Sequence, residues 1–185
     1  MATIIRSGVR ALDARAVALS QNMESWGLRL PTRIRFLTMR PGNSFGKCRK
    51  DSESYAVIRV SEAVIAEGGA ALDRTVYHEL CHAAAPRGAH HGPQWKAVAR
   101  VVTEHTGIPI TRVSSSQGMS SRFRDMYRYH MRCSKCGVTI ERNRWSRWMD
   151  NVGKVSPDGK PKVYCTRCGG AIEFCNEKKT KGGDR

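Results

Sequence analysis

A histidine–glutamate pattern in the middle of the chain has the residue types and spacing of a metal site. The stretch Tyr77-His78-Glu79-Leu80-Cys81-His82 reads H-E-x-x-H. Residues four apart lie on one face of a helix, so His78 and His82 present two imidazole nitrogens to one metal ion. Glu79 is then placed to accept a proton from a water at that metal. The pattern predicts a zinc-dependent hydrolase, provided that the stretch is helical and that a third ligand follows.

Three residues after the motif are candidates for the third ligand. His91 stands just before Pro93, a residue suited to the first turn of a helix, and that position lets it fold back over the motif helix. His90 is its neighbour, and Glu104 follows His82 after 22 residues, as in sites that use a downstream carboxylate. We expect His91 to be the ligand, with His90 and Glu104 as the alternatives.

Two C-x-x-C-G sequences near the C-terminus have the spacing of zinc knuckles. They contain Cys133, Cys136, Cys165 and Cys168, with 28 residues between the pairs. Four thiolates make a closed tetrahedral site, so the zinc they bind is structural. The gap is long for a zinc ribbon, which predicts an insertion at residues 143–151. An odd total of 7 cysteines favours metal thiolates in a reducing compartment over a disulfide framework.

The charge of the chain predicts a polyanionic partner. The formal net charge is +16 and the pI is about 10.1. Residues 111–185 carry 17 Lys and Arg against 7 Asp and Glu, whereas residues 1–110 carry 15 against 9. Nucleic acid is the commonest partner of such a basic chain, and DNA is the partner we expect, bound mainly by the C-terminal part.

Aromatic and basic residues alternate around the cysteine pairs. The candidates for phosphate contact are Arg128, Arg142, Arg144 and Arg147, and the candidates for stacking on bases are Tyr127, Tyr129, Trp145 and Trp148. Stacking on exposed bases favours single-stranded DNA. An equally weighted alternative is that these aromatic side chains pack the small core of the ribbon.

One helix and three strands are predicted before the motif, at residues 9–26, 32–39, 44–49 and 55–60. In the first strand, Ile34 and Phe36 alternate with Arg33 and Arg35, which is typical of a half-buried strand with a basic outer face. The short spacing of the three strands predicts a small antiparallel sheet.

The motif itself is predicted to lie on a helix over residues 70–85. Leu72, Val76 and Leu80 form its apolar stripe, and the two motif histidines fall on the other side. A second helix begins near Pro93 and ends before Gly107. The motif therefore meets the helical condition.

The motif, followed by His91-Gly92-Pro93-Gln94-Trp95, resembles the SprT-like (Spartan-type) zinc metallopeptidases. Their pattern is H-E-x-x-H, a variable loop, and then H-G-x-x before Trp or Phe. Gly46-Lys47-Cys48 in a hairpin and the C-terminal zinc ribbon also match, over about residues 8–175. The loop between His82 and His91 is shorter than in the family pattern. The resemblance implies a zincin-like fold and zinc-dependent cleavage of proteins bound or crosslinked to DNA.

The resulting domain organisation is an α+β metallopeptidase domain followed by a basic zinc ribbon. We expect a SprT-like, zincin-like domain at residues 1–113, with an N-terminal helix, the small antiparallel sheet, the motif helix and a second ligand-bearing helix. A serine-rich flexible linker follows at 114–121, the ribbon at 122–175 and a disordered polar tail at 176–185.

The expected function is DNA-stimulated proteolysis of DNA-bound or DNA-crosslinked proteins, as in DNA damage repair, with one catalytic and one structural zinc and Glu79 as general base. Two alternatives are a non-enzymatic zinc-ribbon DNA-binding protein and a regulatory metalloprotease with one protein target. No signal peptide or membrane-length apolar run is visible. We therefore expect a monomeric, cytoplasmic, DNA- or nucleoid-associated protein that is not secreted and has no membrane partner.

Overall fold

The chain divides into two units, Met1–Ser114 and Ser115–Arg185. The computed structural model describes residues 1–42, 44–112, 119–120, 123 and 125–175. Most of the predicted linker at 114–121 and all of the predicted tail at 176–185 lie outside the described residues, so both assignments stay predictions. Each unit mixes helical turns with a small sheet, which confirms the α+β class.

The first unit is built on a four-stranded sheet. Its strands are β1 (Thr3–Ile5), β2 (Arg33–Met39), β3 (Gly46–Ser52) and β4 (Tyr55–Ser61), in the order β1-β2-β4-β3. β1, β2 and β4 run parallel, and only β3 and β4 pair antiparallel. The prediction of an antiparallel sheet is therefore wrong, and β1 is a strand that the sequence pattern does not predict.

Two connections explain why the sheet is mixed. Helix α1 (Arg10–Ser25) joins β1 to β2, and a helical crossover of this kind connects parallel neighbours. β4 then enters the sheet between β2 and β3, so that β3 becomes an outer strand. Alternation of side chains within each strand is the same for every strand order, so it carries no information about these neighbours.

Helices cover one face of this sheet. Besides α1 they are α2 (Glu62–Glu67), α3 (Gly69–Ala84) and α4 (Pro93–Thr106), and α3 packs against α1, α4, β3 and β4. The apolar stripes of the helices are buried: Leu12, Ala16, Leu19 and Met23 on α1, Leu72, Val76, Leu80 and Ala83 on α3, and Trp95, Ala99 and Val102 on α4. Within the described part of the chain, no helix has the length and apolar character needed to cross a bilayer.

The polar side of α3 is buried as well. Thr75 and Glu79 are 4% and 5% exposed. The periodicity of α3 places them away from its apolar stripe, but β3 packs against that side of the helix. A carboxylate that the helix pattern alone would leave in solvent is thus enclosed between a helix and a strand.

The second unit is a three-stranded ribbon. Its strands are β5 (Tyr129–Cys133), β6 (Thr139–Arg142) and β7 (Ile172–Phe174), all antiparallel, in the order β6-β5-β7. Met131, Met149, Val152 and Ile172 form its core together with Cys133 and Cys165. So few apolar residues make a small core, which is why a unit of this kind depends on a metal for stability.

The segment predicted to be an insertion, residues 143–151, follows β6. Part of it is a 3-10 helix, Arg147–Asn151, which places Met149 in the core. A second hairpin follows this helix. In it, Lys162 N–H donates to Lys154 O at 2.9 Å and Ser156 N–H donates to Lys160 O at 2.7 Å.

Replacing Phe36 by alanine is expected to destabilise the first unit. Phe36 is fully buried on the inner face of β2, and removal of a buried phenyl ring costs about 3–5 kcal/mol. Urea denaturation followed by tryptophan fluorescence measures the loss. The control is Arg35→Ala, its exposed neighbour, expected to change the free energy of unfolding by less than about 0.5 kcal/mol. Equal losses in the two variants would contradict the assignment of faces in β2.

Candidate metal centre and peptidase site

Three imidazoles converge in the first unit. His78 and His82 lie one turn apart on α3, and His91 lies in the turn before α4. His91 Nε2 is 3.1 Å from His82 Nε2 and 3.2 Å from His78 Nε2. Nitrogens bound tetrahedrally to one zinc, each about 2.0–2.1 Å from the ion, lie about 3.3 Å apart. The spacing therefore fits a single metal ion held by three histidines.

The tautomer of His78 is set by a backbone carbonyl. His78 Nδ1 lies 3.0 Å from Thr111 O, so Nδ1 carries the proton and donates it to the carbonyl. Nε2 then keeps its lone pair for a metal, as is usual for ligating histidines. Thr111 is a partner that no sequence pattern singles out.

Burial keeps the three imidazoles neutral. It lowers the pKa of His78 and of His82 to about 4 and also lowers the pKa of His91. Neighbouring imidazoles add to the effect on His78 and His82, since a second positive charge close by is unfavourable. Neutral imidazole is the form that binds a metal, so the site is ready for one at neutral pH.

Trp95 forms a wall against which all three imidazoles lie. Its ring centroid is 5.0, 5.3 and 4.7 Å from those of His78, His82 and His91. The side chain is 2% exposed and comes from the first turn of α4. The family pattern contains Trp95 without assigning it a part, whereas the structure shows that it packs on the imidazoles, which fixes their planes and shields them from water.

The two alternative third ligands lie outside the cluster. Within the described residues, the histidine group with converging ligand atoms contains His91 and neither His90 nor Glu104. His90 is exposed and has a left-handed backbone (φ 45°), which turns the chain just before His91. Glu104 has a 65% exposed side chain and pairs with Arg100 at 3.7 Å.

The carboxylate of Glu79 lies in a tight enclosure between α3 and β3. Burial raises the pKa of Glu79 to about 8, and the backbone N–H of Cys48, by donating to the carboxylate, opposes that shift. A cation at the neighbouring histidines would favour the charged form further. A carboxylate with opposing influences of this kind is suited to accepting and releasing a proton near neutral pH.

Gly46 is required by the position of Glu79. A Cβ atom at Gly46 would lie 2.6 Å from Glu79 Oε1, 2.7 Å from its Cγ and 2.9 Å from its Cδ, closer than real Cβ contacts. Cys48, on the same face of β3, is half-buried beside Glu79. Only the packing of β3 on α3 gives these two residues their roles.

The four knuckle cysteines also converge. Cys133 Sγ is 3.5 Å from Cys168 Sγ, and Cys136 Sγ is 3.8 Å from Cys165 Sγ. Thiolates bound tetrahedrally at about 2.3 Å from one zinc lie about 3.8 Å apart, so the sulfurs fit one ion. Gly137 and Gly169 close the two knuckles with φ of 69° and 71°, which side chains other than glycine adopt with strain. The predicted cluster of four cysteines is confirmed.

Three of the four aromatic residues predicted to stack on bases are involved in packing. Tyr127 is 4% exposed, so its ring is enclosed by the protein, as the packing alternative predicts, and its contact with DNA stays a prediction. Trp145 packs edge-on against Tyr129 and is stacked with Phe174, and its indole N–H donates to Asp150 at 2.8 Å. Sequence spacing could not distinguish these rings from exposed ones, because burial depends on contacts far along the chain.

Other ribbon residues remain open to solvent. Trp148 is 37% exposed, and Tyr164, which sequence reasoning missed, is 60% exposed. Tyr164 lines an open cavity of about 600 Å³ with Asn151, Ser156, Asp158, Lys160, Pro161, Lys162 and Gly169.

The four predicted arginines differ in their surroundings. Arg144, Arg147 and Arg128 are exposed, with Arg128 5.6 Å above the ring of Tyr129. Arg142 is half-buried and donates to Glu141 O at 2.8 Å. The positions of Arg128, Arg144 and Arg147 therefore leave their guanidinium groups accessible to an anion.

Substitution of Gly46 by alanine is expected to lower peptidase activity much more than stability. The added methyl group displaces the Glu79 carboxylate, whose side chain can move without unfolding the sheet. The expected result is a kcat reduced by at least about tenfold, the scale of a misplaced catalytic group, with an almost unchanged Tm. Gly42→Ala is the matched control, since its Cβ would meet only Arg40 O at 3.8 Å. Equal activity in the two variants would contradict the proposed part of Gly46.

The comparison with known families agrees with the geometry. A family model, the SprT-like family, matches residues 18–114. A search of curated proteins gives no significant match. The matched segment contains α3, α4, the outer strand β3 and the three converging histidines. It covers more than half of the chain, and the first unit is a metallopeptidase-like domain with residues placed for a metal: the chain belongs to the SprT-like family.

Proposed function

We propose that this protein is a zinc-dependent endopeptidase that cleaves proteins bound or crosslinked to DNA and that DNA stimulates it. The observation that carries the peptidase part is the enclosure of Glu79 beside three converging histidines. A metal site with a purely structural role has no use for a buried carboxylate next to its ligands. The same observation disfavours a non-enzymatic DNA-binding protein, in which both metals would be structural.

His78, His82 and His91 would hold the catalytic zinc, and the four knuckle cysteines a structural one. Three protein ligands leave a tetrahedral ion one open position, whereas four thiolates close it. When bound, the catalytic zinc supplies a Lewis acid that polarises a peptide carbonyl and makes water more acidic. The histidines keep their geometry through Thr111 and Trp95.

Glu79 acts first as general base and then as general acid. Its carboxylate accepts a proton from the attacking water and then delivers it to the amine that leaves when the C–N bond breaks. Enclosure by β3 shields the carboxylate from bulk water, and the Cys48 N–H orients it. The absence of a side chain at Gly46 leaves the carboxylate the space that it occupies.

The outer strand β3 offers a means of holding the substrate. It pairs with β4 on one side and is the last strand of the sheet on the other. An extended peptide that adds to such an edge is held by backbone hydrogen bonds, which suits an enzyme with little sequence preference. β3 also carries Gly46 and contacts α3, so a peptide on its edge would lie beside the metal-binding helix.

DNA would act by concentrating substrate and enzyme on one molecule. Arg144, Arg147 and Arg128 are exposed in the basic C-terminal unit, and Trp148 and Tyr164 present rings to solvent. Arginines bind phosphates and exposed rings stack on unpaired bases, which favours single-stranded DNA. A protein attached to that DNA then meets the peptidase at a high effective concentration.

Substituting Glu79 by glutamine is expected to lower kcat by about 10²- to 10⁴-fold, the range for loss of a general base. Zinc should stay bound at both sites, measured by elemental analysis of the purified protein, because the substitution leaves every histidine and cysteine ligand in place. Glu104→Gln is the matched control and should keep full activity, since Glu104 is exposed and outside the cluster. The assay is cleavage of a labelled histone on DNA.

Retention of activity by Glu79→Gln would exclude the peptidase mechanism. Cleavage of a single protein from a broad panel of DNA-bound proteins would instead favour a regulatory protease with one target.

Neutralising the ribbon arginines is expected to weaken stimulation by DNA. The triple variant Arg128→Gln, Arg144→Gln and Arg147→Gln should keep its activity without DNA, because all three residues lie in the second unit. The logarithm of the DNA-binding constant falls linearly with the logarithm of the salt concentration. For the variant this slope should be less steep by about 0.7–0.9 for every phosphate that it no longer neutralises. The control removes three exposed charges from the first unit: Arg10→Gln, Lys96→Gln and Arg100→Gln. Equal stimulation in both variants would contradict a part for these arginines in DNA binding.

A further inference from the structure

Five basic side chains share one face of the four-stranded sheet. They are Arg33 and Arg35 on β2, Lys47 and Arg49 on β3 and Arg59 on β4. The strand register sets them on a common face: Lys47 lies opposite Arg59, while Arg35 and Arg49 are both opposite Val57. We call this set the basic sheet face.

The basic sheet face points away from the metal-binding helix. Gly46 and Cys48 alternate with Lys47 and Arg49 along β3, and Gly46 lies against Glu79 of α3. Residues that point to the other face of the sheet, such as Ile34 and Ile58, are fully buried under the helices. The five cations therefore lie on the side of the sheet that α3 does not cover.

The basic sheet face is exposed and poorly compensated. Arg33, Arg35, Lys47 and Arg49 are exposed, and Arg59 is half-buried. Among the described residues, Asp51 is the acidic group paired with a member of the set, with its Oδ1 2.8 Å from Arg49 Nε. Like charges directly opposite on neighbouring strands, as in Lys47 and Arg59, repel each other. On a surface of mixed charge, acidic neighbours would prevent this repulsion. On the basic sheet face, a bound anion would reduce it.

The arrangement suits a chain of phosphates. Side chains two apart on a strand are about 6.6–6.8 Å from each other and neighbouring strands about 4.8 Å, so the cations form a flat, regular array. Four of the five are arginines, whose planar guanidinium binds phosphate in two-pronged fashion. Tyr55 lies on the same face, 5.7 Å below the guanidinium of Arg33. Leu37 and Val57 lie on the same face between the cations, and Val57 is only 4% exposed, so the surface that this face offers to solvent is mainly basic.

We propose that the basic sheet face binds the phosphate backbone of DNA, as a nucleic-acid surface of the peptidase unit that is separate from the ribbon. Contacts to phosphates carry no sequence information, so binding there would be independent of sequence. The importance of this surface for proteolysis rests on the proposed function. Because β3 borders both the basic sheet face and the site of Glu79, DNA held there would keep an attached protein close to the cleft.

The test measures DNA binding by the full, zinc-loaded chain in which Glu79→Gln prevents cleavage. Fluorescence anisotropy of a labelled oligonucleotide, single-stranded or duplex, is followed over a series of salt concentrations. The test variant adds Arg33→Gln, Arg35→Gln and Lys47→Gln, all at exposed positions. The matched control adds Arg10→Gln, Lys96→Gln and Arg100→Gln, which removes the same charge from exposed helical positions of the same unit.

The test variant, and not the control, is expected to bind DNA more weakly. The slope of the logarithm of its binding constant against the logarithm of the salt concentration should be less steep by about 2–3. A third variant with Arg33→Lys and Arg35→Lys should keep most of the binding, which separates loss of charge from loss of fold. Equal affinity and slope in the test and control variants would overturn the proposal. So would a test variant that loses binding to polyglutamate but keeps binding to DNA, since the partner would then be an acidic protein.

Failure here can be told apart from failure of the proposed function. If the basic sheet face binds no DNA while the enzyme with intact Glu79 still cleaves DNA-bound protein, only the present proposal fails. If the face binds DNA and no protein substrate is cleaved, the peptidase proposal fails and the binding surface stands.

Discussion

The contact between the outer strand β3 and helix α3 is the constraint on which the peptidase unit depends. It encloses the carboxylate of Glu79, which requires a residue without Cβ at position 46 and a backbone N–H from Cys48. Burying a carboxylate without hydrogen bonds is costly in free energy, so β3, the strand that covers the carboxylate, must also donate a hydrogen bond to it. Among the described residues β3 pairs with β4 alone, and the same packing places its other edge next to the metal-binding helix.

Both candidate metal sites bring together groups that would crowd each other without an ion. Three imidazole nitrogens converge at 3.1 and 3.2 Å, and the knuckle sulfurs at 3.5 and 3.8 Å. The fold brings His91 to the two motif histidines and one cysteine pair to the other, so binding of a metal at either site would be thermodynamically coupled to folding. The coupling matters most in the ribbon, whose core consists of a few methionine, valine and isoleucine side chains.

Positive charge is organised differently in the two units. In the ribbon it lies around exposed rings, on short strands and a hairpin, whereas in the peptidase unit it forms a flat array on one face of the sheet. The period of two along β3 separates this array from the carboxylate of Glu79, since alternate residues point to opposite faces. The proposed binding of DNA and the proposed peptide hydrolysis would thus share one strand without sharing side chains.

Features that depend on local spacing can be predicted from the sequence. The motif histidines four residues apart on a helix, the C-x-x-C-G knuckles and the apolar stripes of α1, α3 and α4 follow from helix and turn geometry. Tertiary packing sets the strand order, the burial of Glu79 and Tyr127 and the contributions of Gly46, Thr111 and Trp95. These depend on which distant segments meet, and neither residue type nor periodicity contains that information, because the free energy of burial comes from contacts between elements.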